Sequence, residues 1–280
     1  MLIDTHAHLN FNAYKNDVDE VIKRTLENNT WIINIGTQYE TSKKAVEIAQ
    51  KYEKGAYAAI GLHPIHLETK LVKIKIDPEE IQQFNSKEEE FDYKRYKELA
   101  QSEKVVAIGE IGLDYYYKPK TKRKLELFKE KQKEALLKQL ELAKELNLPV
   151  IFHCRMGHKD LIEILSENSA LRPQKAVAHG FVGNLEELQK YLDFGFYIGF
   201  NGIIFKSIAG IDFEKNIKET PLEKILIETD CPYLTPPQAE GRNEPICVKY
   251  VAEKIAEIKN LSFQDLAKIT TENAKNLFKI

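Results

Sequence analysis

The chain has 280 residues, 43% hydrophobic and 30% charged, with a formal net charge of −2 at pH 7. That length buries a substantial core, the composition excludes a disordered or fibrous chain, and the near-neutral balance excludes a bulk polycation that grips nucleic acid or anionic membranes by overall charge. A local basic patch remains compatible with it.

Short apolar runs rich in β-formers alternate with longer amphipathic runs from end to end. The expected strands fall at residues 1–5, 31–35, 57–62, 105–109, 150–153, 175–179, 196–200 and 224–228. The expected helices fall at 17–28, 40–52, 122–146, 185–192, 245–259 and 262–278, the last capped by Ser262 with Asp265 three residues on. Two stretches interrupt this rhythm. Residues 67–90, rich in Lys, Glu, Asp and Ser, are too long and polar for an ordinary connection and read as a peripheral, solvated insertion. In 234–245, Pro236, Pro237, Gly241 and Pro245 forbid regular structure and mark a long loop after the last strand, a place where function concentrates. About eight βα units point to an α/β fold, a closed (β/α)8 TIM barrel formed by a single domain over residues 1–280. An open doubly wound sheet would leave the first strand at an edge or a switch point.

No apolar run approaches the roughly 20 residues that span a bilayer, and the N-terminus lacks a basic stretch followed by an apolar core. Cys154, Cys231 and Cys247 form no short pairing, which suits a reducing compartment, so a cytoplasmic location without membrane association is expected. Strand alternation turns Cys154 away from the barrel mouth into the core, and Cys231 reads the same way.

A barrel enzyme carries its chemistry at the C-terminal ends of its strands. There the chain places His6 and His8 after the first strand, Glu110 after the fourth, His153 and His179 at the ends of the fifth and sixth, and Asp230 after the eighth. Apolar strands have no structural need to end repeatedly in ionisable groups that are costly to desolvate. Imidazole with carboxylate suits zinc and can hold manganese or magnesium, while the absence of cysteine ligands argues against a closed structural zinc site. Six ligands are too many for one catalytic ion and suffice for two divalent ions with Glu110 as the central bridge; paired ions about 3.5–4 Å apart are the clamp that hydrolyses phosphoesters.

The stretches Asp4-Thr5-His6-Ala7-His8, Gly61-Leu62-His63-Pro64, Gly109-Glu110-Ile111-Gly112-Leu113-Asp114, His153-Cys154-Arg155, His179-Gly180-Phe181, Glu228-Thr229-Asp230-Cys231-Pro232 and Arg242-Asn243-Glu244-Pro245 run nearly end to end. Together they make the chain resemble the TatD family of metal-dependent hydrolases among the amidohydrolase-type barrels. The resemblance implies that His6, His8, Glu110 and Asp230 hold one divalent ion and that Glu110, His153 and His179 hold the second. It also implies a nuclease that removes nucleotides from 3′ ends of single-stranded DNA or RNA, with His63, Arg155 and Asn243 near the substrate. Of these Arg155 has the best chemistry for phosphate, the alternative being an ion pair with Glu228 or Glu244. The chain departs from the family pattern at His63-Pro64-Ile65-His66, so His66 carries over poorly, and at Gly180, where the family commonly has cysteine or another small residue.

In this reading Glu110 and Asp230 are catalytic, with Asp230 accepting a proton from the attacking water. Tyr115, Tyr116 and Tyr117 either stack on bases or pack the loop. Nucleic acid is the expected partner and no protein partner is evident. The competing readings are a hydrolase of the same barrel acting on a carbonyl centre, such as an amide, a lactone or an aminoacyl ester of tRNA, and a non-catalytic module stabilised by metal.

Overall fold

The computed structural model describes residues 1–75 and 81–280, with the backbone alone between 70 and 85. Its strands are β1 (Leu2–Ala7), β2 (Thr30–Ile35), β3 (Ala56–Ile60), β4 (Lys70–Lys75), β5 (Ile81–Ser86), β6 (Val105–Asp114), β7 (Val150–Arg155), β8 (Ala176–Ala178), β9 (Tyr197–Phe200) and β10 (Ile225–Ile227). Its helices are α1 (Val18–Glu27), α2 (Tyr39–Gln50), α3 (Tyr93–Leu99), α4 (Lys122–Leu146), α5 (His158–Glu167), α6 (Leu185–Asp193), α7 (Phe213–Glu219), α8 (Val248–Lys259) and α9 (Phe263–Phe278). Eight strands pair in the order β1-β2-β3-β6-β7-β8-β9-β10, with every registered pair parallel. The ring closes where Ala7 bridges Cys231, through His8 N–H donating to Cys231 O at 2.9 Å and Asp230 N–H to His6 O at 2.8 Å. This is the TIM barrel that the alternating pattern predicts. Among the described residues no helix is long and apolar enough to cross a membrane.

Two cores follow from the strand period. Ile3, Ile33, Ala59, Ala107, Ile151, Val177 and Leu226 fill the barrel interior, closed below by Leu277 and Phe278 of α9. The opposite faces of the strands pack against the helices, and Cys154 lies in that outer layer, as alternation requires.

The structure adds elements that the pattern did not isolate. Within the 67–90 insertion β4 and β5 pair antiparallel, from Lys70 opposite Ser86 to Lys75 opposite Ile81, while residues 76–80 of the insertion lie outside the described residues. Helices α3, α5 and α7, of seven, ten and seven residues, were not anticipated. The helix expected from 245 begins at Val248, after a 3₁₀ turn over Pro245–Cys247. Strand β6 runs five residues beyond its expected end at 109, to Asp114.

Helix α4 fixes two strand ends by the same device used twice. Gln139 accepts from Leu62 N at 2.7 Å and donates to Leu62 O at 3.1 Å; one heptad earlier, Gln132 accepts from Asp114 N at 2.8 Å and donates to Asp114 O at 3.0 Å. Both glutamines are buried, so each replaces the ladder partner that the strand loses as it leaves the sheet. Gln139→Leu strands two buried backbone groups at about 1–3 kcal/mol each, so urea unfolding should show a loss of roughly 2–5 kcal/mol. A loss below about 0.5 kcal/mol would mean that the clamp is dispensable.

Candidate metal centre

The expected ligands stand at strand ends, but regular alternation along the strands would not turn all of them into the barrel mouth. Ile3 points into the barrel, so His6 would share the outer face of Leu2 and Asp4. The register shifts between Asp4 and Ala7, where three steps along β1 oppose two along β2, from Ile32 to Asn34. That extra residue turns His6 inward. A second shift lies between Ile108 and Ile111 opposite Val150 and Phe152, and it turns Glu110 inward although Ile108 faces the helices. Strands β7 and β8 need no such device, because His153 and His179 lie two residues beyond the inward-facing Ile151 and Val177.

Four donors of the first expected group converge. His6 Nε2 lies 3.2 Å from His8 Nε2, 3.4 Å from Glu110 Oε2 and 3.8 Å from Asp230 Oδ1, while His8 Nε2 lies 3.3 Å from Asp230 Oδ1 and 3.9 Å from Glu110 Oε2. Donors about 2.0–2.2 Å from a tetrahedral ion stand roughly 3.3–3.6 Å apart, so the spacing is that of an ion's donor shell. The other oxygen of Glu110, Oε1, lies 2.7 Å from His153 Nδ1, 3.5 Å from His63 Nε2 and 3.6 Å from His179 Nε2. One carboxylate therefore addresses two histidine groups with its two oxygens.

A further layer of carboxylates stands behind the histidines. Asp114 Oδ2 is 3.3 Å from His153 Nε2, and Glu228 Oε1 is 2.8 Å from His179 Nδ1. Asp4 accepts from Thr229 N, Thr229 Oγ1 and His6 N, tying β1 to the turn that carries Asp230. Such outer partners fix imidazole orientation and raise ligand basicity. Asp114 and Glu228 follow inward-facing positions of strands whose ends had already yielded ligands, which is the signal that could have singled them out.

The electrostatics are those of a site built for cations. Burial alone would raise the pKa of Glu110, but His63, His6 and His153 hold it well below the carboxylate range. Asp230 is likewise buried yet held low by His8, His179 and His6. Burial and the neighbouring His179 lower the pKa of His6, and burial with His153 brings His63 to about 4, so both are neutral ligands at pH 7. His179 resists its own burial because Glu228, Glu110 and Asp230 surround it, and it rises to about 10. Asp4, short of such cations, is raised to about 8 by burial. Four carboxylates, Glu110, Asp114, Glu228 and Asp230, gather in one largely buried cluster against the cations Arg155 and His179. Divalent cations fit that deficit and the facing lone pairs of His6 and His8.

The remaining expected contacts sort differently. His63 lies within the ligand cluster, with its Nδ1 accepting from Ile65 N at 2.9 Å. Arg155 pairs with Asp114, through Nε at 3.1 Å and Nη2 at 2.7 Å, rather than with Glu228 or Glu244; Glu244 is instead held by Arg24 and Arg242. Asn243 is fully buried and donates to Thr229 O and Tyr233 O, so its amide braces the loop beneath the mouth. His66 is buried, with its Nε2 3.4 Å from Thr37 Oγ1 and its backbone N–H donating to His63 O.

The profile of the TatD-related DNases matches residues 3–279. The chain belongs to this family. It is 41% identical to the uncharacterized metal-dependent hydrolase YabD of Bacillus subtilis, over the full length of both chains. It is 31% identical to the 3′-5′ ssDNA/RNA exonuclease TatD of Shigella flexneri, over 100% of this chain and 99% of that one. Among solved structures, the TatD homologue YJJV of Escherichia coli superposes with a TM-score of 0.82 at 29% identity, covering 100% of this chain and 98% of that chain. The TatD-family chain described here is accordingly a metal-dependent hydrolase. Loss of an outer partner lowers metal affinity by about 10–100-fold, so Glu228→Gln should weaken one bound ion by that factor in a competition titration. Unchanged affinity would remove Glu228 from the site.

Proposed function

We propose that this protein is a divalent-metal-dependent 3′-5′ exonuclease that cleaves phosphodiester bonds at single-stranded DNA or RNA ends. The observation that carries the reading is Glu110, whose two oxygens face separate histidine groups. Its residues support a two-ion site: His6, His8, Glu110 and Asp230 on one side, Glu110, His153 and His179 on the other, with His63 beside the second. Zinc, magnesium and manganese all suit this donor set. When bound, the ions supply a lowered water pKa and stabilisation of charge on the phosphoryl oxygens.

The chain's own groups do the rest. Asp230 stays ionised among its imidazoles, and its Oδ1 is placed to take a proton from the attacking water. Arg155 spends Nε and Nη2 on Asp114, and among the described residues Nη1 has no protein partner; that amino group binds a substrate phosphate oxygen. Phe11 stacks on His8 with centroids 4.5 Å apart and helps exclude water from that side of the site. The name of the Shigella relative supports a nucleic acid substrate, and the arginine favours phosphate over a carbonyl centre.

The test is hydrolysis of a single-stranded oligonucleotide, its arrest by chelator, and a metal add-back series, run beside small esters, a lactone and aminoacyl-tRNA. Turnover of only the carbonyl substrates would overturn the nuclease reading. Glu110→Gln should lose bound metal, and activity should fall by more than the roughly 100-fold that an outer partner costs. Full activity in that variant would sink the bridging assignment. His6→Ala with His8→Ala should remove one ion first, read by metal analysis; loss of both together would show the two sites inseparable.

A further inference from the structure

The loop that leaves the metal centre after Asp114 carries an unusual run. Residues 115–125 read Tyr-Tyr-Tyr-Lys-Pro-Lys-Thr-Lys-Arg-Lys-Leu, with five cations and no carboxylate, in a chain whose net charge is −2. Lys118, Lys120, Lys122, Arg123 and Lys124 are all exposed. Among the described residues none of the five has an ion-pair partner, although other surface lysines, such as Lys129 and Lys131 one or two turns further along α4, are paired with Asp160 and Glu88. Lys122, Arg123 and Lys124 also occupy the first turn of α4, which holds no acidic residue, where the helix dipole favours carboxylates. A run that violates local preference without structural compensation is the mark of a functional surface.

The three tyrosines preceding the run divide. Tyr115 is core, with its hydroxyl on Asp160 at 3.0 Å, whereas Tyr116 is 58% exposed. The Arg155 guanidinium lies 4.4 Å from the Tyr116 ring centroid, and Tyr116 N–H donates to Asp114 Oδ1 at 2.9 Å. Contacts therefore run unbroken from Glu110 through His153, Asp114 and Arg155 to an exposed aromatic ring, and the cations begin two residues later.

We propose that residues 116–124 form a track for single-stranded nucleic acid leading to the metal centre: Tyr116 stacks on a base and the five cations bind successive phosphates. Aromatic stacking with a line of cations is how proteins hold an unpaired strand irrespective of sequence, since every base offers a π-face and every nucleotide a phosphate. The track rests on the nuclease reading for its purpose, but its binding is measurable without catalysis. It places affinity for the strand beyond the scissile bond, so a long strand binds better than a dinucleotide.

The experiment is fluorescence anisotropy with a labelled single-stranded DNA 12-mer in chelator, for the native protein, for a variant with all five cations changed to Gln, and for Tyr116→Ala. These side chains are exposed, so the fold is not at stake. Each single-strand phosphate contact contributes about 0.7 to the slope of log affinity against log salt, so the five-fold variant should lose roughly 3 units of slope and bind at least about tenfold more weakly at 50 mM salt. Tyr116→Ala should weaken the 12-mer several-fold and leave an abasic 12-mer unchanged. Equal affinities and slopes for native and five-fold variant would overturn the track. A polyglutamate peptide of equal charge that binds as tightly as the 12-mer would overturn it too, making an acidic protein the partner. Should the native protein bind the strand through these residues and yet hydrolyse no oligonucleotide with any metal, the track stands and the nuclease reading falls.

Discussion

Glu110 is a carboxylate that water cannot solvate, placed where three strands of imidazoles converge. A buried charge of this kind costs several kcal/mol unless opposite charge meets it, and much of the barrel mouth is arranged to supply that charge. The bulge in β6 exists where it brings Glu110 inward, and the bulge in β1 does the same for His6. Were either strand regular, a ligand would face the hydrophobic layer under the helices, and the neighbouring donors would lose the group that divides them into two sets.

The same constraint explains the second ring of acids. A histidine that offers one nitrogen to a cation needs its other nitrogen held, or the ring rotates and the donor is lost. Asp114 holds His153 and Glu228 holds His179; Glu228 also accepts from Gly180 N, which fixes the turn after β8. Glycine is required at 199 for this reason, since a Cβ there would stand 2.5 Å from Glu228 Oε2. Asp4 holds the β1 backbone instead, accepting from His6 N, and by bonding Thr229 it joins the first strand to the last.

The eight parallel strands were legible because each is a short apolar run set off by polar ends, and period and length together leave few alternatives. Two seven-residue helices, α3 and α7, were not, since fewer than two full turns are too little to declare a face. At the site, residue types at strand ends pointed to the side chains that the structure brings together, because ionisable residues repeated there have no structural excuse. What the sequence could not express is register. The bulges at His6 and Glu110 change which face a residue occupies without altering composition, and only the neighbouring strand reveals them. For the same reason the partner of Arg155 was missed: Glu228 and Glu244 were the expected acids, and the lengthening of β6 brings Asp114 into register with Arg155 instead.

Net charge was the least informative quantity in the chain. A balance of −2 averages a carboxylate-rich centre against a neighbouring loop with five positive charges. These fields fall off over a Debye length of about 8 Å at physiological salt, so a charged molecule approaching the mouth responds to the local surface rather than to the total. The pairing of Arg155 with Asp114 sits at the boundary of the two regions. It neutralises one acid of the centre, keeps a half-exposed guanidinium beside it, and sets that guanidinium against the Tyr116 ring.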